Sequence, residues 1–112
     1  MTEPPSGDEL LQVLATLANP HRLRVVATLA RGRAYVSALA RELGISRALL
    51  QLHLKKLESA GLVSSALELS PDGKAMKFYQ VTAFGYQLTP TTIAAAASSL
   101  TTPHARTEEE PQ

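Results

Sequence analysis

Several side chains on one predicted helix are of types that bind nucleic acid. Arg47, Gln51, Lys55 and Lys56 recur along residues 46–60. Arginine can make two hydrogen bonds to the edge of guanine, and glutamine can make two to adenine, each pair contributing about 1–3 kcal/mol of discrimination. Lysine more often contacts phosphate oxygens, which position a protein without reading sequence. We therefore expect Arg47 and Gln51 to contact base edges and the two lysines to contact phosphates.

Apolar spacing predicts which face of this helix points outward. Leu50, Leu54 and Leu57 share one face at helical spacing and should pack on the preceding helix. The opposite face then carries Ala48 and Leu52 beside the polar side chains. The residues of this helix that we expect to contact DNA are Ser46, Arg47, Ala48, Gln51, Leu52, Lys55 and Lys56.

A short helix and a glycine turn precede this helix. Residues 37–43 should form a helix with Ser37 as the capping residue. Gly44 suits the left-handed conformation just past a helix end, and Ser46 can cap the next helix. A short helix, a turn with glycine and a longer basic helix are typical of a helix-turn-helix.

Two segments with strand character follow. Residues 62–70 and 75–82 flank residues 71–74 (PDGK), whose turn chemistry predicts a β-hairpin. Lys74 and Lys77 on this hairpin could reach the minor groove or the backbone of DNA. The alternative is an ordinary solvated hairpin.

The remaining helices complete a winged helix-turn-helix. Asp8 should cap a first helix, and Asn19-Pro20 should end it and start a second helix that Gly32 ends. A short extended piece lies at 33–36, and residues 91–100 form a last helix. The fold class is thus mainly α with a small β-hairpin wing, in the order α-α-(β)-α-α-β-β-α. We expect a flexible arm over residues 1–7, the winged domain over 8–100 and a disordered acidic tail over 101–112.

The charge of the chain is unevenly distributed. The formal net charge is +1 over 112 residues, but residues 20–82 hold ten of the eleven basic residues and four of the ten acidic ones. The central segment thus carries +6 and the two ends together carry −5. A basic body between acidic ends is typical of nucleic-acid-binding proteins, although many solvated helical surfaces carry a similar excess.

Composition excludes several classes of function. The chain has no cysteine, which excludes disulfides, thiolate metal sites and cysteine catalysis. No Ser/His/Asp arrangement and no glycine-rich phosphate loop is apparent, so we expect no enzyme activity. No apolar run approaches the roughly 18–20 residues that span a bilayer, and the N-terminus lacks the pattern of a secretory signal. We therefore expect a cytoplasmic protein with no membrane partner.

Three segments carry a resemblance to a known family. They are residues 17–26 (LANPHRLRVV), 37–46 (SALARELGIS) and 53–63 (HLKKLESAGLV). In this order and spacing they resemble three parts of the ArsR/SmtB-type dimeric bacterial transcriptional regulators: the opening phrase, the first helix and turn of the helix-turn-helix, and the end of the recognition helix. The likeness covers about residues 9–100. It implies a homodimer that binds double-stranded DNA at two inverted half-sites about one helical turn apart.

The first and last helices carry more apolar surface than one small domain can bury. Small side chains allow helices to approach closely, and the resemblance favours a two-fold interface formed by these helices. The alternative is that the alanines of the last helix only reflect high helix propensity. The residues that we expect in the interface are Leu10, Leu14, Leu17, Ile93, Ala96 and Ala97.

Two leucines depart from the family pattern. Relatives usually carry serine or threonine near position 49 and a polar or basic residue at position 52, where this chain has Leu49 and Leu52. The leucines could contact thymine methyl groups, sequence readout could be weaker, or the helix could be rotated so that another surface covers them. They also leave open an alternative function, a winged-helix protein-interaction module with little or no sequence readout.

The signal that would control DNA binding is left open. Many family members release DNA when metal binds to cysteines before the recognition helix, or to aspartate and histidines on the last helix. Neither set is present here. His21 and His104 are the candidates for a nickel or zinc ion, and the alternatives are a small organic effector or a separate sensing protein. Among the matched residues we expect Arg22 to be structural and His53 to be structural or phosphate-facing.

Overall fold

The computed structural model describes residues 3–101, which form five helices and a three-stranded sheet. In chain order the elements are α1 (Gly7–Leu17), α2 (Pro20–Leu29), β1 (Ala34–Tyr35), α3 (Val36–Leu43), α4 (Arg47–Ser59), β2 (Val63–Leu69), β3 (Ala75–Val81) and α5 (Pro90–Ala97). This order confirms the predicted winged helix-turn-helix, in which α3 and α4 form the helix-turn-helix and the β2–β3 hairpin is the wing. Within residues 3–101 no helix is both long and apolar enough to cross a membrane.

The chain divides into two compact units. The larger unit, residues 13–85, contains α2 to α4 and the sheet, and the smaller unit contains the described residues up to Gln12 and from Tyr86 onward. The fully buried side chains of the larger unit are Val25, Leu29, Leu39, Leu50, Leu54, Leu57 and Leu62. Three of them, Leu50, Leu54 and Leu57, form the predicted inward face of α4 and confirm how this helix is rotated.

Local signals set the turn between α3 and α4. Gly44 adopts the left-handed conformation with φ 70° and ψ 31°, and its N–H donates to the carbonyl of Ala40 at 2.9 Å. Ser46 caps α4 because its Oγ accepts a hydrogen bond from the backbone N–H of Leu49 at 3.0 Å. Both features confirm the sequence-based prediction. A tight turn with caps on both sides holds α4 at a defined angle to α3.

The prediction that Ser37 caps α3 is wrong. The helix begins at Val36, and Tyr35 is the capping residue although its side chain makes no capping hydrogen bond. The reason is tertiary: Tyr35 is still paired with Phe78 of β3, so the chain is extended up to that residue and the helix starts directly after it.

The central strand of the sheet is β3, with β1 and β2 on either side and both pairs antiparallel. The predicted hairpin is confirmed, although β2 begins one residue later than predicted, at Val63. The turn is closed by the N–H of Ser70, which donates to the carbonyl of Lys74 at 2.8 Å, and Gly73 takes the positive φ of 85° that the turn requires.

Strand pairing sets which wing residues share a face. The facing pairs along the wing are Ser65 with Tyr79, Leu67 with Lys77, and Leu69 with Ala75. Directly opposite residues of an antiparallel pair point to the same side of the sheet, as do alternate residues of one strand. All three pairs therefore lie on one face of the wing, and Glu68 and Met76 lie on the other.

The smaller unit joins the start of α1 to α5. Ser6, rather than the predicted Asp8, caps α1, because Ser6 and Glu9 exchange two hydrogen bonds of 2.9 and 3.1 Å in a capping box. The helix begins at Gly7, two residues earlier than a cap at Asp8 predicts. The carboxylate of Asp8 instead accepts hydrogen bonds from Thr101 at 3.1 and 2.6 Å, which lower the pKa of Asp8. The last helix ends at Ala97, earlier than predicted, and the predicted tail beyond Thr101 lies outside the described residues.

Candidate nucleic-acid interface

A groove of about 650 Å³ runs between α4 and the wing, and we refer to it as the wing groove. Its lining residues are Arg47, Gln51, Lys55 and Glu58 of α4, Ala75, Met76, Lys77 and Tyr79 of β3, and Tyr35, Val36 and Ser37 beside them. Four of the predicted DNA-contacting residues thus meet in one concavity, although the wing is far from α4 in sequence. Lys56 and Lys74 are exposed but do not line this groove.

The cations of the wing groove have no carboxylate partners within the described residues. The two salt bridges found there join Arg31 to Glu42 and Arg33 to Glu68, and neither involves Arg47, Lys55 or Lys77. Glu58 is the single carboxylate among the described residues that line the groove, and it accepts a hydrogen bond from the hydroxyl of Ser65 on β2 at 3.0 Å. The Nζ of Lys77 lies 5.4 Å from the centre of the Tyr79 ring. A groove with three unpaired cations and one carboxylate is suited to a polyanion such as a phosphodiester strand.

The outward face of α4 is apolar at its centre. The relative solvent exposure of Leu52 is 60% and that of Leu49 is 37%, and Ala48 and Gln51 are also exposed. Because the opposite face of the helix is fully buried, a rotated helix does not explain Leu52. Its side chain is exposed and does not line the wing groove.

Arg22 joins α2 to the recognition helix α4. Its Nε donates to Nδ1 of His53 at 3.2 Å, and its Nη1 donates to the carbonyl of Thr16 at 3.2 Å. Asn19 holds the start of α2 by accepting hydrogen bonds from the N–H groups of His21 and Arg22 at 2.9 and 3.2 Å. The structural role predicted for Arg22 is confirmed.

His53 is buried in this contact rather than facing solvent. Its burial lowers its pKa, and the positive charges of Arg22, His21 and Lys56 lower it further. The neutral ring that results accepts at Nδ1 from Arg22, so its proton lies on Nε2, which is buried without a hydrogen-bond partner in the described structure. The ring of His21 lies against it with a centroid distance of 5.4 Å. His53 therefore helps to hold α4 against α2 through its contact with Arg22. This is the structural role, one of the two roles predicted for His53, and not the phosphate-facing one.

A cluster of side chains that holds the wing was not predicted from the sequence. Glu68 accepts hydrogen bonds from Arg33 at 3.0 and 3.1 Å and from the hydroxyl of Tyr35 at 2.7 Å. The guanidinium of Arg33 also covers the Phe78 ring at 4.1 Å. The hydrogen bond from the Tyr35 hydroxyl lowers the pKa of Glu68, and the hydrogen bonds from Arg33 lower it further. The cluster ties β1 to β2 across β3 and fixes the wing to the body of the larger unit.

The described residues do not fit a metal centre. Among residues 3–101, no three or more His, Asp or Glu side chains come close enough to hold an ion. His21, one of the two predicted candidates, lies against His53, whose Nδ1 already accepts from Arg22. The other candidate, His104, lies outside the described residues.

The six residues predicted for a dimer interface differ in exposure. Leu10 and Ala96 are buried within the chain itself, and Leu17 is half-buried against the core. Leu14 and Ile93 keep 39% and 47% of their exposure. Ala97 is exposed as well.

The sequence is similar to that of known regulators. A helix-turn-helix domain family model (HTH_20) matches residues 17–66. An uncharacterized HTH-type transcriptional regulator from Methanocaldococcus jannaschii is 31% identical over 80 residues, which cover 71% of this chain and 83% of that protein. Nodulation protein NolR from Rhizobium meliloti is 40% identical over 52 residues, 46% of this chain and 43% of that protein.

Solved structures show the same fold. The transcriptional repressor BigR from Xylella fastidiosa superposes with a TM-score of 0.59 at 25% identity, covering 81% of this chain and 79% of that one. The homodimeric winged helix-turn-helix DNA-binding domain of a possible ArsR-family regulator from Mycobacterium bovis gives 0.57 at 24% identity, covering 81% and 74%. These relatives are transcriptional regulators and not enzymes, as predicted. The chain belongs to the ArsR family of winged helix-turn-helix transcriptional regulators.

Proposed function

We propose that the chain binds double-stranded DNA as a homodimer at an inverted repeat, with α4 in the major groove and the wing beside the neighbouring minor groove. The observation that carries this proposal is the wing groove, where Arg47, Lys55 and Lys77 meet without a carboxylate partner in the described structure. A helix fits the width of the major groove, and the strand of phosphates between the two grooves then passes between helix and wing.

The exposed groups of α4 divide into two roles under this proposal. Arg47 and Gln51 reach base edges from the start of the helix, and Leu52 contacts thymine methyl groups beside them. The lysines contact phosphates and carry the salt dependence of binding. Ser46 and Ala48 complete the contact surface of α4, and Lys56, Lys74 and Lys77 complete the set of phosphate contacts.

Two copies of the chain would bind the two half-sites of an inverted repeat. A homodimeric relative with this fold supports this arrangement, and Leu14, Ile93 and Ala97 offer exposed small or apolar side chains for the contact. Leu10 and Ala96 are buried within the chain, and Leu17 is half-buried against the core of the larger unit. Half-sites read by a two-fold dimer lie about 34–36 Å apart, one turn of DNA.

The regulator would act in the cytoplasm, with its DNA affinity controlled by an effector. The candidate effectors are a nickel or zinc ion, a small organic molecule and a separate sensing protein.

The test is selection of duplexes from a random DNA library by the full-length chain, followed by salt titration of the selected duplex. We expect sequence-preferring binding that weakens steeply as salt rises. Replacing Arg47 and Gln51 together by alanine should remove the preference, whereas Arg31→Ala, which removes an ion-paired arginine outside the wing groove, should not. Binding without sequence preference or salt dependence would contradict the proposal and favour a protein-interaction module.

A further inference from the structure

Two leucines of the wing are the most exposed large apolar side chains in the described part of the chain. The relative solvent exposure is 71% for Leu67 and 72% for Leu69. A single exposed leucine is ordinary on a protein surface, so exposure alone says little. These two, however, are alternate residues of one strand and stand next to each other on one face.

The strand register places this face on the side of the wing groove. Leu67 is opposite Lys77 and Leu69 is opposite Ala75; both partners line the groove, and Met76 of the other face also lines it. The same face continues to Ser65, whose hydroxyl donates to Glu58 of α4. The leucines thus lie on the side of the wing that is turned toward the recognition helix.

The charges around the leucines favour a polyanionic partner. Glu68, between them in sequence, lies on the opposite face and is paired with Arg33 and Tyr35. In the turn, Asp72 accepts a hydrogen bond from the hydroxyl of Ser70, and Lys74 follows two residues later with the opposite charge. Lys77 is therefore the charged side chain that shares the face with the leucines.

We propose that Leu67 and Leu69 make apolar contact inside the minor groove of DNA, just outside the bases that α4 contacts. The inference rests on the proposed function, which places the wing at that groove. Proteins that bind the minor groove frequently insert leucine and other apolar side chains against the sugars and between base steps. A two-stranded ribbon that carries leucines on the side facing DNA, next to a lysine, has the chemistry for this contact.

The test compares two duplexes and two variants. One duplex carries the selected site with several flanking base pairs, and the other ends at the outer edge of the half-sites, so that it lacks the flanking minor groove. The variant Leu67→Thr/Leu69→Thr removes the apolar side chains and introduces β-branched residues, which are suited to a strand. The control Leu23→Thr removes a leucine of 55% exposure from α2, away from the wing groove.

On the flanked duplex we expect the wing variant to bind roughly tenfold more weakly than wild type, because apolar burial is lost. Its salt dependence should be unchanged, whereas Lys77→Gln should reduce the salt slope by about one unit. On the truncated duplex wild type should lose more than the wing variant, because both lose the flanking phosphates near the wing lysines but only wild type loses the leucine contact. The control should follow wild type on both.

Equal affinity of wild type and wing variant for the flanked duplex would overturn the proposal and make the leucines a surface for a protein partner. Equal loss on both duplexes would also overturn it, because the contact would then lie elsewhere. The wild-type comparison needs no variant: undiminished affinity for the truncated duplex refutes the contact even if the variant fails to fold. If wild type selects no sequence at all, the proposed function fails instead, which is a separate result.

Discussion

Arg22→Met should destabilise the chain, although arginine and methionine have side chains of similar length. Methionine keeps most of the aliphatic stem of Arg22 and removes the guanidinium. Two hydrogen bonds of 3.2 Å are then lost, one to Nδ1 of His53 and one to the carbonyl of Thr16. Both acceptors belong to buried residues, with 7% exposure for His53 and 8% for Thr16, so water replaces the guanidinium poorly.

The magnitude follows from these two contacts. A typical intramolecular hydrogen bond contributes about 0.5–1.5 kcal/mol net, so two of them amount to about 1–3 kcal/mol of unfolding free energy. Both distances lie at the long end of the usual range, which argues against the larger values seen for short charged hydrogen bonds. In a domain of this size each kcal/mol corresponds to a decrease in Tm of about 4–8 °C.

The assay is urea unfolding of wild type, Arg22→Met and Arg24→Met at one protein concentration, since oligomerisation makes apparent stability depend on concentration. Arg24 is an exposed arginine on the same helix, so its replacement makes the same change of charge without breaking a buried contact. We expect this control to stay within about 0.5 kcal/mol of wild type. If the two variants unfold with the same free energy, Arg22 does not hold α4 through His53 and Thr16.

Three further outcomes follow from the described contacts. Glu68→Gln should speed hydrogen exchange of the β2 amides because the Arg33 ion pair is lost, and Glu42→Gln, at the more exposed ion pair, should leave them unchanged. Burial lowers the pKa of His53 in the folded chain, so the unfolded chain takes up a proton first as pH falls below about 6.5. The unfolding free energy should therefore decrease between pH 6.5 and about pH 5.5, and it should decrease less in His53→Gln. Gly7→Ala should lower the unfolding free energy measured in urea by about 1–3 kcal/mol, because a Cβ there would overlap a backbone carbonyl and lie 2.8 Å from a leucine Cγ. A Cβ at Gly85 would meet nothing within 4 Å, so Gly85→Ala is the control. Equal stability of the two glycine variants would contradict the close packing.

Features that depend on near neighbours in the chain could be predicted from the sequence. Gly44 and Ser46 act within one helical turn, and the stripe of Leu50, Leu54 and Leu57 needs only the period of the helix. The same kind of signal was wrong at Ser37 and Asp8. There a nearby residue or a paired strand offered the backbone a better partner than the predicted cap.

The sequence by itself thus determined the order of the elements, the inward face of α4 and the residues that we propose to contact nucleic acid. Only the tertiary structure decided that Lys77 shares a groove with Arg47, that Glu68 pairs with Arg33, and that Leu67 lies on the side of the wing facing α4. The physical reason is that periodicity assigns a side chain to a face of its own helix or strand. Which surface then meets that face depends on strand order and register, which are set by contacts between residues far apart in the chain.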